Sequence, residues 1–209
     1  MHEERQDLIH SMGIAMGGLG MGYVRKSLLA AAFIVSVGFL QMVPAVQSTA
    51  YGYSEADLKN FLETNKCHHC DLYDAPLSEK ELKGADLSYS RLPGANLSSS
   101  RLEGANLYDT FLIGANLRGA VLINANLSKA NMFGVNLNNS DLKGADVSNA
   151  NLQVADLSNA MLDGANFSGA DLTNANFEGA SVKDTILKGA TGLTDEKKND
   201  LKKRGAVVD

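Results

Sequence analysis

Cys67, His68, His69 and Cys70 follow one another without a break, and they include both cysteines and two of the four histidines of the chain. Thiols and imidazoles bind metals, carry protons and exchange disulfides, so the segment raises several chemistries at once. Covalent haem attachment needs C-x-x-C-H, but residue 71 is Asp. Zinc needs four ligands with geometric freedom, and four consecutive residues close a tetrahedral shell poorly. The other histidines, His2 and His10, lie far away near the N-terminus. A thioredoxin-like site wants C-x-x-C at a helix start in a βαβ setting. The remaining readings are a disulfide and a pair of free buried thiols. Other catalytic arrangements find no support. The glycines follow no nucleotide-binding pattern, and two adjacent histidines leave little for a Ser/His/Asp triad. The expectation is a chain that is not an enzyme, with no cofactor, no metal and no small-molecule substrate.

The elements that hold this segment have an unusual composition. The 209 residues contain no Trp, and aromatics make up 6%. Such a chain suits a narrow, repetitive interior filled by one medium and one small residue. The formal net charge of -5 argues against a nucleic-acid binder. The first fifty residues differ from the rest. Arg25 and Lys26 precede an apolar run from Leu28 to Val43, and small residues at Ser48 and Ala50 follow. This order reads as a secretory signal peptide cleaved near Ala50, after which the protein is exported. The run is shorter than the roughly 20 residues of a comfortable membrane span. An anchor formed by Leu28–Val43 is the alternative, and otherwise the membrane is met only through this segment before cleavage. Met21 would open a more ordinary signal, so residues 1–20 read as an over-extended start. Export would place Cys67 and Cys70 where disulfides persist.

From Cys70 onward the chain divides into five-residue words such as "GADLS", "GANLS" and "GANLR". Their large apolar centres fall at every fifth residue from Leu72 to Leu187, giving 24 words without an insertion. Nineteen centres are Leu, and the others are Met132, Val147, Phe167, Phe177 and Val182. Two residues before the centre, 16 of the 24 positions are Ala; two residues after it, 11 are Gly and five are Asn. A period of five turns a helix by about 140° per word, so no helical face stays apolar. An odd period also flips sides on a flat strand. The pattern works if each word forms one short extended side and one corner. The centre and the small residue before it then point inward, and the Gly or Asn supplies the positive φ of a type II turn.

This A-[DN]-L-x-x array, over about residues 70–190, resembles the pentapeptide repeat family. The resemblance implies an all-β solenoid, a right-handed quadrilateral β-helix with four words per turn and about six coils. It also suggests an exported member of the kind found in the periplasm or thylakoid lumen of oxygenic phototrophs. Both open ends of a solenoid need covering. Ser54 with Asp57, and Leu58, Phe61 and Leu62 on one face, predict an N-terminal capping helix. Thr194, Asp195 and Glu196, with Leu201 and the terminator Gly205, predict a C-terminal one. The expected organisation is a signal segment at 1–50, a capping helix and first corner at 51–69, repeats at 70–190, and a second cap and tail at 191–209.

In this register Cys67 and Cys70 are the first two inward positions, and His69 takes the positive-φ corner. The ends of a four-residue turn lie within about 7 Å, and disulfides need Cα separations of roughly 4.4–6.8 Å. A Cys67–Cys70 disulfide is the favoured reading; free thiols and a thiol-redox or metal module stay open. Residues twenty apart stack on the outer walls. Asn96, Asn116, Asn136, Asp156 and Asn176 form one column, expected as a supporting amide ladder. Tyr73, Phe111, Ile113 and Phe133 form an apolar stripe on another wall, and Val121 and Ile123 lie on the opposite wall, with Met161 further along. These residues are the candidate interaction surface for an unknown protein partner or a second copy of the chain. The leading function is therefore a non-enzymatic structural or protein-interaction role in an exported compartment. The alternative of DNA mimicry toward a topoisomerase needs cytosolic access and strong acidity. Without the first fifty residues the chain keeps 16 bases and 21 acids, only -5.

Overall fold

The computed structural model describes residues 52–209. The signal segment, the Leu28–Val43 run, the cleavage site and the alternative start lie outside the described residues. Within them the chain winds into a four-walled column. The residue before each centre pairs in parallel with the residue twenty positions later, from Lys66 with Asp86 to Asp171 with Thr191. Each rung is one paired residue wide. Leu72 donates its N–H to the Arg91 carbonyl at 2.7 Å, and Arg91 donates to the Cys70 carbonyl at 2.8 Å. The chain can turn again at once because a corner follows every side. There the residue after the corner donates back to the centre, as Ala75 does to Leu72 at 3.1 Å. All 24 positions two after a centre have φ between 53° and 69°. That is the left-handed third position of a type II turn, and Gly, Asn and Asp reach it most cheaply.

The core is built from the two inward sets. The centres are buried, with Ala between them. Ser100, Thr110 and Ser140 replace Ala at inward positions and are fully or almost fully buried. Each hydroxyl donates to the preceding centre's carbonyl, at 2.6, 2.7 and 2.6 Å. A buried hydroxyl is tolerated only when so satisfied. Lys80 departs from the inward pattern: it occupies that register yet is exposed. An ammonium without a buried counter-charge cannot enter an apolar column.

The polar residue before each centre has two tasks. Its side-chain oxygen accepts the N–H two residues on, as Asn96 does from Ser98 at 3.2 Å and Asp156 from Ser158 at 3.0 Å. An amide there also donates to the equivalent side chain one coil below. On the column expected as a ladder this second bond joins Asn116 to Asn96 at 3.3 Å and Asn176 to Asp156 at 3.2 Å. A longer run stands on the opposite wall, where Asn106 donates to Asp86 at 3.1 Å and Asn126 to Asn106 at 3.4 Å. Asp fits the local turn as well as Asn and accepts from the coil above, but it has no amide to donate, so ladders break below it.

Helix α1, Glu55–Thr64, precedes the first rung. Ser54 caps it by accepting the Asp57 N–H at 3.2 Å, and Asn65 ends it in the left-handed region. Asp57 does not complete a reciprocal box. Its carboxylate instead accepts the Asp71 N–H at 3.0 Å, while Ser54 N–H binds the Asp71 carbonyl at 2.9 Å. Phe61 is fully buried and Leu58 partly so, but Leu62 is 46% exposed. The expected three-residue face is thus narrower than supposed, because adjacent positions diverge by 100° around a helix. Helix α2, Asp195–Lys203, starts at Thr194, which accepts the Lys197 N–H at 3.2 Å, and it buries Leu201. Beyond it the chain pairs again. Val207 donates to Thr185 at 2.8 Å and accepts from Leu187 at 2.8 Å, which adds a last rung beside Ile186.

Candidate interaction wall and the Cys67–Cys70 corner

The wall containing Asp71, Arg91 and Phe111 carries the apolar stripe. Tyr73, Phe111, Ile113 and Phe133 are 43%, 44%, 40% and 43% exposed. The register places them together because 73, 113 and 133 follow centres on one side and 111 precedes its centre on the same side. Val154, at the corner two coils above Gly114, is 53% exposed and extends the stripe. Sequence reasoning missed it, since Val at a positive-φ position is not a residue one searches for. Gly94, Gly114 and Gly134 line the same edge without side chains. The stripe is therefore bordered by a low ledge. On the opposite wall Val121 and Ile123 are half-buried and Met161 is 37% exposed. These side chains lie on a different wall and do not join the stripe.

At the base of the column Cys67 and Cys70 are both buried, with Sγ atoms 2.04 Å apart and Cα atoms 5.3 Å apart. His69 has φ 61°, the corner value expected of it. The two imidazoles point outward, away from the sulfurs, so the four side chains do not converge on one point. Among the described residues no group of three or more His, Cys, Asp or Glu side chains is arranged to hold a metal ion.

His68 Nδ1 lies 2.9 Å from Ser88 Oγ, which lies 2.7 Å from Asp86 Oδ1. The order of this chain matters. The buried Ser88 hydroxyl donates to the carboxylate and accepts from the imidazole, the reverse of an activated nucleophile. The Ser88 hydroxyl bond holds the Asp86 carboxyl below its usual range, against the opposing effect of burial, with the Ser88 N–H, Asn106 and the His68 charge adding to it. The chain thus ties His68 to the coil above it. An edge of rings continues upward. The His69 and Tyr89 rings are 5.2 Å apart and the Tyr89 and Tyr108 rings 5.3 Å apart, and Lys129 Nζ donates to the Tyr108 hydroxyl at 2.9 Å. That bond raises the Lys129 ammonium above its ordinary value.

A four-walled column with five-residue words and alternating Leu and Ala layers defines a repeat solenoid. The pentapeptide repeats model matches in overlapping segments from 66 to 189, with eight copies. The chain belongs to the pentapeptide repeat family, whose fold is a right-handed quadrilateral β-helix. It is similar to HetL, a pentapeptide repeat protein of the cyanobacterium Nostoc involved in heterocyst differentiation regulation. The two are 32% identical over 61% of this chain and 70% of that one, with a TM-score of 0.41. A pentapeptide repeat protein of the Arabidopsis thaliana thylakoid lumen is 29% identical over 63% of this chain and 81% of that one, with a TM-score of 0.28. QnrB1, a plasmid-mediated fluoroquinolone resistance protein, is 22% identical over 69% and 79%, with a TM-score of 0.40. Comparison with curated protein sequences gives no match.

Proposed function

We propose that this protein is a non-enzymatic interaction column of an exported compartment, and that its contact face is the wall carrying Tyr73, Phe111, Ile113 and Phe133. The observation that carries the reading is the exposure of these four large apolar side chains on one wall. Most outward positions elsewhere on the column are polar, so a contiguous apolar face marks a contact. Six coils closed below by α1 and above by α2 and the 205–209 tail would make the column a rigid support for that face. Export is supported by the Arg25–Lys26, Leu28–Val43 and Ser48–Ala50 succession. Two buried cysteines at bonding distance fit an oxidising compartment, periplasm or thylakoid lumen. Among the described residues no helix is long and apolar enough to cross a membrane.

The experiment is cross-linking in cells that express the full chain, followed by identification of the bound species. The double variant Phe111→Ser, Phe133→Ser changes only outward positions and should keep the fold. It is expected to lose most cross-linked species seen with the unaltered protein. Retention of every species would overturn the assignment of this wall.

A further inference from the structure

The stripe has a symmetry that bears on what covers it. Its ends are Tyr73 and Val154, and Ile113 lies two rungs from the Tyr73 rung and two from the Val154 rung. At the roughly 4.8 Å spacing of neighbouring strands it is about 19 Å long. We propose that its occupant is a second copy of this chain, bound antiparallel about a two-fold axis passing by Ile113. The inference rests on the contact-face reading above and names the partner for that face.

Two identical walls can face each other in two ways. A two-fold axis along the column would set the apolar edge of each copy against the other edge of the wall, which carries Asp109 and Lys129. An axis across the column sets apolar edge on apolar edge, in reverse order. With that axis at Ile113, Ile113 meets Ile113 and Phe111 meets Phe111. Phe133 meets Pro93 and the bare Gly94 corner, and Tyr73 meets Gln153 and Val154. Phe133 then falls on small residues, Phe111 and Ile113 each meet their own copy, and all five exposed apolar residues lie within the overlap, with Val154 beside the Asp74 corner. Moving the axis one coil up, to Phe133, puts Phe111 on Asn151 and Ile113 on Gln153, so two of the apolar side chains meet polar ones, and it sets Tyr73 against the last rung at Thr191.

The charged neighbours fit the same register. The Arg91 guanidinium is exposed and has no ion pair or hydrogen bond among the described residues. It sits beside Pro93, the position where the other copy's Phe133 ring arrives, which is the setting for a cation over an aromatic face. The contact is small. A wall of this height and about 10–15 Å width falls below the roughly 800 Å² per partner of a standard interface, so the dimer should form at high local concentration rather than persist at dilution.

Sedimentation velocity of the mature protein purified from cells expressing the full chain, from low micromolar to near millimolar, tests the proposal. A concentration-dependent dimer is expected, and Phe133→Ser should stay monomeric over the same range with an unchanged circular dichroism spectrum. Under non-reducing conditions a short bismaleimide should bridge two copies of Ile113→Cys, on the axis, at least tenfold better than two copies of Asn174→Cys, beyond the overlap. A monomer at every concentration, with cell-derived species still lost on mutating the wall, would reject the second copy while leaving the contact face in place. A dimer indifferent to Phe133→Ser, or bridged equally at Asn174, would reject this register. A monomer whose cross-linked species also survive the wall mutations would overturn both readings.

Discussion

Val154 is the one β-branched side chain among the corner residues, held at φ 60° and 53% exposed. A Cβ-branched residue in the left-handed region meets its own carbonyl, at about 1–2 kcal/mol for an ordinary L-residue. The register compels this: a different φ at one corner would shift every later rung. Neighbouring corners show the relaxed solution, since Asn149, Asn159 and Asn174 have φ between 56° and 59°. Val154→Asn is therefore expected to stabilise the protein by about 1 kcal/mol in urea unfolding at low protein concentration, where association does not contribute. An unchanged or lower midpoint would mean that the corner carries no strain. The same substitution should weaken the antiparallel contact, so dilute stability and dimer formation are expected to move in opposite directions. That combination separates a corner preserved for folding from one preserved for contact.

The repeats were readable to the residue because the period forces inward, outward and corner positions to recur, and a single misassignment would break 24 agreements. The ends were less readable because nothing there repeats. Ser54 and Thr194 announce both helices by cap chemistry, yet Asp57 binds the first coil rather than its own cap, and only three-dimensional proximity to Asp71 reveals that. The tail after Gly205 carries no strand signal, but its rung satisfies the last coil: Val207 N–H binds Thr185, and Asp209 accepts the Gly189 N–H at 2.6 Å. Arg204 adds a fork onto the Phe177 and Ala180 carbonyls. The candidate stripe was legible from register alone, whereas the His68–Ser88–Asp86 tie was hidden, since its three members come from two coils. Val207→Pro removes one donor and should cost about 1–2 kcal/mol for the stranded Thr185 carbonyl. Hydrogen exchange at Ile186 and Leu187 should rise severalfold while amides near Leu97 keep their protection. Uniform acceleration along the column would show that the tail supports all coils at once rather than the last one.

A column whose coils touch only their neighbours adds its stability layer by layer, so its response to acid depends on where the carboxylates sit. Two carboxyls lie below their ordinary range. Asp86 is held there first by the Ser88 hydroxyl, and Asp171 first by the Thr173 hydroxyl and then by Gln153. A carboxyl whose folded pKa is below its unfolded value binds protons more weakly when folded. Its contribution is present above the unfolded value, about 3.9, and is lost as pH falls through the folded value. Stability should therefore decline below about pH 4, with little change from pH 5 to 7 on account of these two groups. Asn occupies the matching places one coil away, at Asn106 above Asp86 and Asn151 below Asp171. The double variant Asp86→Asn, Asp171→Asn should accordingly fold and keep the local turns. It should also show a shallower fall in unfolding midpoint between pH 5 and pH 3 than the unaltered protein. Parallel pH profiles for the two proteins would place acid sensitivity in other carboxylates. The two sites lie near opposite ends of the column, so the single variants should contribute separately, and their effects should add.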